Sequence, residues 1–147
     1  MPGKYFLDTN IIIYALDSRE PLKQSLAQKL TEDALANGRG IISYQVVQEA
    51  LNVVAAKWRK PLEMRHVKSL KDDVLLPLCE IFPSPDFFSR ALELFYAKNM
   101  SFFDSLILQA AVDAGCDFLY SEDMQDGFRH QGVRVVNPFA GIKASIP

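Results

Sequence analysis

Short apolar segments alternate with longer helix-like segments along this chain of 147 residues, and that alternation constrains the fold more than any other feature. The apolar segments have the length and composition of buried strands, and they lie at 4–7, 40–43, 78–82, 117–121 and 133–136. Strands that alternate with helices predict a mainly parallel sheet covered on both faces. We therefore predict a three-layer α/β/α domain with about five short strands.

The helix boundaries follow from residues that cap or interrupt helices. Thr9 or Asn10 is expected to cap the first helix, and Asp104 or Ser105 to open the last one. The other helices are predicted at about 21–36, 45–59, 63–73 and 85–98. The tail from about Pro138 looks irregular.

The length fits one domain, so we predict a single domain over residues 1–147. The apolar runs are too short to cross a bilayer, and the N-terminus lacks the features of a signal peptide. We therefore expect a cytoplasmic protein that does not associate with a membrane. Cys79 and Cys116 are isolated thiols, for which we expect a structural role.

Four acidic residues have positions that suit a shared site. Asp8 follows the first strand, Asp123 follows the fourth, and Glu49 and Asp104 lie on helix margins. An open parallel sheet binds its ligand beyond the carboxyl ends of its strands. Carboxylates gathered there repel one another and need a cation, and Mg²⁺ prefers oxygen ligands. Because a carboxylate-held ion with open coordination positions can hydrolyse phosphodiester bonds, we predict a metal-dependent nuclease.

Each acid also has a simpler interpretation. Asp8 could serve only as a helix N-cap, and Asp104 could cap the helix that it opens. Glu49 borders the apolar arc of its helix and could be a solvated flank. Asp123 and Asp126 lie in a loop, where acids are ordinary turn residues, and Asp126 fits that role better.

Other catalytic chemistries lack the residues that they need. The chain has two histidines, no cluster of cysteine and histidine for zinc, no serine nucleophile motif and no glycine-rich phosphate loop. The net charge of −2 weighs against a general nucleic-acid binder. The densest basic region, 57–71, contains the only tryptophan, and it could contact RNA or form a solvated helix junction.

The chain resembles a PIN domain, and particularly the ribonuclease toxins of VapBC-type toxin–antitoxin pairs. The resemblance extends from Asp8 to about Asn137, and four segments carry it in order and spacing: 6–11 (FLDTNI), 43–49 (SYQVVQE), 103–107 (FDSLI) and 119–127 (LYSEDMQDG). Phe103 stands where these toxins often have tryptophan. The resemblance implies that Mg²⁺ or Mn²⁺ is bound by Asp8, Glu49, Asp104 and Asp123, with Thr9 and Ser121 beside them. Asp126 is a further candidate for a supporting residue, and its place in the site stays open.

The resemblance also implies a PIN-like fold, hydrolysis of single-stranded or looped RNA, a homodimer, and a cognate antitoxin protein that occupies the cleft. Two alternatives stay open at this point. One is a PIN ribonuclease that matures or degrades RNA without an antitoxin. The other is a catalytically silent PIN-like module that binds RNA or protein.

Overall fold

The computed structural model describes residues 3–142 and confirms the predicted α/β fold with a mostly parallel central sheet. The strands are β1 Tyr5–Leu7, β2 Gly40–Ser43, β3 Cys79–Ile81, β4 Phe118–Tyr120, β5 Arg129–His130 and β6 Val133–Val136. Their order across the sheet is β3-β2-β1-β4-β6-β5. Every pair is parallel except β5 with β6.

The helices flank this sheet. They are α1 Thr9–Leu16, α2 Pro21–Asn37, α3 Tyr44–Asn52, α4 Met64–Leu70, α5 Leu76–Leu78, α6 Pro85–Ala97 and α7 Phe102–Asp113. A π-helical segment, Val53–Lys57, extends α3, and a second one, Lys71–Leu75, joins α4 to α5. The helix expected at about 63–73 therefore continues as far as Leu78.

The sheet has six strands rather than the predicted five, and the additional strand is β5. It lies in the stretch that we expected to be a loop between β4 and β6, and it pairs with β6 through a tight turn. Gln131 and Gly132 form that turn with φ of 45° and 85°, as two-residue hairpins require. Because β5 contains only two residues, it leaves no periodic pattern in the sequence.

The core lies on both sides of the central strands. Phe6, Leu7, Ile41, Ile42 and Leu119 are almost completely inaccessible to solvent. Strands that are buried on both faces read as continuous apolar runs, which is why these segments could be found from the sequence. Each such side chain stabilises the fold by roughly 1.5–3 kcal/mol through its removal from water.

Strand order reverses at β1. β2 and β3 lie on one side of this strand, while β4 and β6 lie on the other. The carboxyl ends of β1 and β4 therefore border the crevice in which open α/β sheets bind their ligands. Within residues 3–142, no helix has the length and apolar character needed to cross a membrane.

Candidate active site

Asp8 directly follows the last residue of β1 at this crevice, and it is only 6% exposed. Its Oδ1 accepts a hydrogen bond of 2.7 Å from the Thr9 amide, and its Oδ2 accepts one of 2.7 Å from Ser121 Oγ. Asp8 is also the N-cap of α1, so the expectation that Thr9 or Asn10 would cap this helix is wrong. Asp8 has the extended backbone of a cap residue, whereas Thr9 and Asn10 are already helical.

The environment of Asp8 raises the pKa of its carboxyl group to about 6. Burial is the main cause, because it disfavours the ionised form. The hydrogen bonds from Ser121 and Thr9 lower the pKa, while the charges of Glu49 and Asp123 raise it further. Two of the other predicted acids, Glu49 and Asp123, therefore lie close enough to act on Asp8 through space.

The loop after β4 positions Asp123 beside the start of α1. Asn10 Nδ2 donates a hydrogen bond of 3.1 Å to Asp123 Oδ2, and Asn10 Oδ1 accepts one of 3.3 Å from the Glu122 amide. Ser121, which is fully buried, accepts a hydrogen bond of 3.3 Å from the Met124 amide. Asn10 is thus a site residue that the sequence suggested only as a helix cap.

The carboxylate of Glu122 turns away from Asp123. It accepts hydrogen bonds of 2.6 Å from the Tyr14 hydroxyl and from Lys23 Nζ. The Lys23 ammonium also lies 4.8 Å from the centre of the Tyr14 ring. These contacts attach the loop that contains Asp123 to α1 and α2.

Asp104 lies in the first turn of α7. The N-cap of this helix is Ser101, whose hydroxyl accepts a hydrogen bond of 3.0 Å from the Asp104 amide. The prediction that Asp104 or Ser105 opens the helix is therefore wrong, and so is the interpretation of Asp104 as its cap. The side chain is half-buried, and burial raises the pKa of its carboxyl group. A side-chain hydrogen bond with the Ser101 hydroxyl lowers this pKa, and the charge of Asp123 raises it.

Asp104 and Asp123 line one polar depression of about 360 Å³. Lys98 lies on the wall of the same depression, and it is a residue that the sequence did not suggest. Nothing in its local pattern marks Lys98, since the contact arises from the loop between α6 and α7.

Glu49 is exposed on α3, at the margin that the helical wheel indicated. Gln45, one turn earlier, donates a hydrogen bond of 2.7 Å from its Nε2 to Glu49 Oε1. The same nitrogen lies 3.4 Å from the carbonyl oxygen of Phe103. Gln45 therefore links Glu49 to the start of α7.

The four acids share one region without forming a closed cluster. In the arrangement described for residues 3–142, no three side chains of His, Cys, Asp or Glu lie close enough to hold a single ion. The electrostatic coupling is pairwise. The charges of Glu49 and Asp123 raise the pKa of Asp8, and the charge of Asp123 raises the pKa of Asp104. Glu49 and Asp123 are exposed, and each accepts a hydrogen bond from a neighbouring amide side chain, Gln45 and Asn10 respectively.

The donor set fits a hard divalent cation. Among the described residues, no Lys or Arg forms an ion pair with any of the four acids. Thr9 Oγ1 is buried beside Asp8 and has no hydrogen-bond partner in the described part of the chain. Carboxylate and hydroxyl oxygens without a neutralising cation are the ligands that Mg²⁺ and Mn²⁺ prefer.

Asp126 has a different contact. Its Oδ1 accepts a hydrogen bond of 2.9 Å from the Asn137 amide, next to the turn at Gly127. This bond fixes the chain that leaves β6. Asp126 thereby supports the backbone near the crevice.

Comparison with known proteins identifies the family. The model of the PIN domain matches residues 5–131, most of the chain. The chain belongs to the PIN domain family. A search of curated proteins gave no significant match.

Solved structures share the fold of this PIN domain at low sequence identity. A toxin–antitoxin complex from Klebsiella pneumoniae has a TM-score of 0.65 at 22% identity, and the match covers 92% of this chain and 98% of that one. VapBC2 from Rickettsia felis, bound to a DNA fragment from its promoter, has a TM-score of 0.61 at 22% identity over 89% and 96% of the chains. VapC20 from Mycobacterium tuberculosis, a toxin that cleaves the sarcin-ricin loop, has a TM-score of 0.56 at 15% identity over 82% and 90%.

Proposed function

We propose that this PIN domain is a metal-dependent endoribonuclease and the toxin of a toxin–antitoxin pair. The observation that supports the proposal most is the electrostatic coupling of Asp8, buried at the end of β1, to Glu49 and Asp123. Carboxylates from three separate parts of the chain lie near the point where strand order reverses, close enough for Glu49 and Asp123 to raise the pKa of Asp8. The N-cap role of Asp8 explains its position but not the two negative charges near it.

The proposed ion is Mg²⁺ or Mn²⁺, held by Asp8, Glu49, Asp104 and Asp123. When bound, such an ion neutralises charge on the phosphate and acidifies a water molecule. The side chains around the acids set their orientation: Ser121 holds Asp8, Asn10 holds Asp123, and Gln45 holds Glu49.

Lys98 is positioned to bind the RNA backbone. It lines the depression that also contains Asp104 and Asp123, and its ammonium group can pair with a phosphate oxygen. In a molecule with a net charge of −2, a cation beside the acids favours the approach of a polyanion.

The substrate and partners in this proposal follow from the family and from the neighbouring structures. VapC20 is a toxin that cleaves the sarcin-ricin loop, and the Klebsiella pneumoniae neighbour is a toxin–antitoxin complex. We propose RNA as substrate and an antitoxin protein as inhibitor. We also propose a homodimer, which is supported by Phe88 and Leu92, 41% and 42% exposed and one turn apart on α6.

Cleavage of a mixed RNA substrate by the Asp104→Asn variant tests the proposal. We expect cleavage with Mn²⁺ to fall by at least about 100-fold, because loss of a direct ligand exceeds the effect of losing an outer-shell contact. The control is Asp86→Asn, which also removes an acid from the first turn of a serine-capped helix but has a side chain that is 94% exposed. Unchanged cleavage by Asp104→Asn would refute the assignment of this residue.

A further inference from the structure

The basic region at 57–71 divides the charge of this chain into two unequal parts. It contains six lysine or arginine residues and one glutamate, so its net charge is +5 in a chain with a total of −2. The rest of the chain therefore carries −7. A local excess of positive charge attracts a polyanion even when the molecule as a whole is acidic.

This region begins with a loop whose ends are fixed by backbone hydrogen bonds. The Trp58 amide donates a bond of 3.0 Å to the carbonyl oxygen of Val53, and the Leu62 amide donates one of 2.9 Å to that of Val54. The Trp58 side chain is partly buried and packs against the hydrophobic core. The residues at 57, 59 and 60 are all basic and exposed, and we call 57–60 the cationic loop.

The cationic loop forms one wall of an open groove of about 750 Å³, and the turn after α1 forms the other. Arg19 lies in that turn, and its guanidinium group donates two hydrogen bonds of 2.9 Å to the carboxylate of Asp17. The charge of Asp17 offsets that of Arg19, so the net positive charge of the groove comes from Arg59 and Lys60. As far as the described chain shows, no residue of α6 lines this groove, which separates it from the face proposed for the homodimer.

The basic side chains of the cationic loop lack a neutralising carboxylate. Within residues 3–142, Lys57, Arg59 and Lys60 form no ion pair. By contrast, Arg65 pairs with Glu63 at a distance of 3.2 Å. A cation without an internal partner binds a phosphate and releases counterions without first breaking an ion pair.

An exposed, uncharged surface connects the cationic loop to the acidic site. Glu49 and Lys57 belong to one continuous helical segment, formed by α3 and its π-helical extension. The exposed side chains between them, Asn52, Ala55 and Ala56, are neutral. At a rise of about 1.5 Å per residue, Glu49 and Lys57 are about 12 Å apart along the axis. This distance corresponds to three or four nucleotides of a stacked strand, at about 3.4 Å per nucleotide.

We propose that the cationic loop binds the phosphate backbone of the RNA about four nucleotides from the phosphate that is cleaved. The proposal rests on the proposed function and adds a second contact with the substrate, so the RNA must extend beyond the cleaved bond. The backbone rather than a base is recognised there, because Arg59 and Lys60 supply positive charge and no hydrogen-bond acceptor.

The salt dependence of RNA binding tests this contact separately from cleavage. A labelled oligouridine of about twelve nucleotides is titrated with protein containing Asp8→Asn in EDTA, and its fluorescence anisotropy is followed at several salt concentrations. Each phosphate contact contributes about −0.7 to the slope of log K against log salt for a single strand. Arg59→Gln combined with Lys60→Gln should therefore reduce the steepness of the slope by about 1.4 and weaken binding about 25-fold at about 0.1 M salt.

A matched double variant controls for the change in total charge. Lys29→Gln combined with Arg134→Gln also removes two exposed cations, one from α2 and one from β6, and lowers the net charge equally. This variant should keep the slope and change the affinity less than about twofold, because screening limits the effect of distant charges. Equal losses of RNA affinity in the two double variants would overturn the proposal, since total charge would then explain both.

The outcomes distinguish this proposal from the proposed function. RNA binding that is absent, or whose slope survives the loss of Arg59 and Lys60, overturns the backbone contact even if the unmodified protein cleaves RNA. The expected fall in slope supports the contact even if no cleavage is found. Displacement of the RNA by oligoglutamate of equal charge at equal concentration would assign the cationic loop to an acidic protein segment and overturn the proposal.

Discussion

Asp8 makes structural hydrogen bonds, but its surroundings disfavour the ionised form of its carboxyl group. Its carboxylate caps α1 and accepts a hydrogen bond from Ser121, yet burial raises its pKa to about 6. The hydrogen bonds favour the ionised form, but removal from water and the charges of Glu49 and Asp123 disfavour it more strongly. A cation bound by Asp8, as proposed, would favour the ionised form and offset this cost.

The pH dependence of stability without metal tests this balance. Because the pKa of Asp8 is about 6 in the folded state and 3.8 ordinarily, the folded state holds the proton more tightly than the unfolded chain. The contribution of Asp8 to the free energy of unfolding is therefore most favourable below about pH 4. It decreases by roughly 1–3 kcal/mol as the pH rises to about 6. Urea unfolding in EDTA should show this decline.

The Asp8→Asn variant provides the comparison. It should be more stable than the unmodified protein near pH 7 and lack most of the decline between about pH 4 and pH 6. If the free energy of unfolding of the two proteins falls equally between about pH 4 and pH 6, another group accounts for the decline.

Helix N-caps connect local sequence to the site. Ser101 caps α7 and holds the amide of Asp104, while Ser84 caps α6 by accepting a hydrogen bond of 3.1 Å from the Phe87 amide. The two contacts have the same chemistry, but only one of the two capped turns contains a predicted ligand. Substitution of each capping serine therefore distinguishes an effect on helix stability, which both should show, from an effect on the site, which only Ser101 should show.

Ser101→Ala and Ser84→Ala should each destabilise the protein by about 1 kcal/mol, measured by chemical denaturation without metal. Only Ser101→Ala should also weaken Mn²⁺ binding measured by calorimetry, by roughly 10-fold or more, since it loosens the turn that positions Asp104. Equal Mn²⁺ affinities for the two variants would contradict a positioning role for Ser101.

The fold of the whole molecule places the four candidate acids near one edge of the sheet. β1 and β4 are parallel neighbours, so their following residues, Asp8 and Ser121, meet at the carboxyl edge. The helices that carry Glu49 and Asp104 begin near the same edge. Folding therefore concentrates repulsion there, and a bound cation should stabilise the entire domain.

Mn²⁺ should raise the melting temperature of the unmodified protein. At a free concentration of about 100 times Kd the native state gains roughly 2.7 kcal/mol, which corresponds to about 5–10 °C for a domain of this size. Differential scanning fluorimetry measures the shift, and Asp86→Asn should preserve it. A shift of the same size in Asp8→Asn would indicate that the ion binds elsewhere.

Sequence alone determined most of the elements because their signals are local. The buried runs at 40–43 and 133–136 became β2 and β6 with the predicted bounds, and Pro21 and Gly38 delimit α2. The first acid could also be placed, since Asp8 follows an apolar strand directly. Local signals were wrong at α7, where the cap is Ser101 and not Asp104 or Ser105. At α1 they left Asp8, Thr9 and Asn10 all possible, and the structure shows that Asp8 is the cap.

Only the tertiary structure decided which residues meet. The Ser121 hydroxyl reaches Asp8 across 113 positions of the chain, and Asn10 reaches Asp123 across the same separation. Periodicity and capping predict neither contact, because each depends on β4 pairing beside β1, which is distant in sequence. Only the family resemblance placed Ser121 beside the acids, and nothing placed Asn10 there. Propensity and capping act within a few residues, whereas strand order is set by the packing of the whole apolar core.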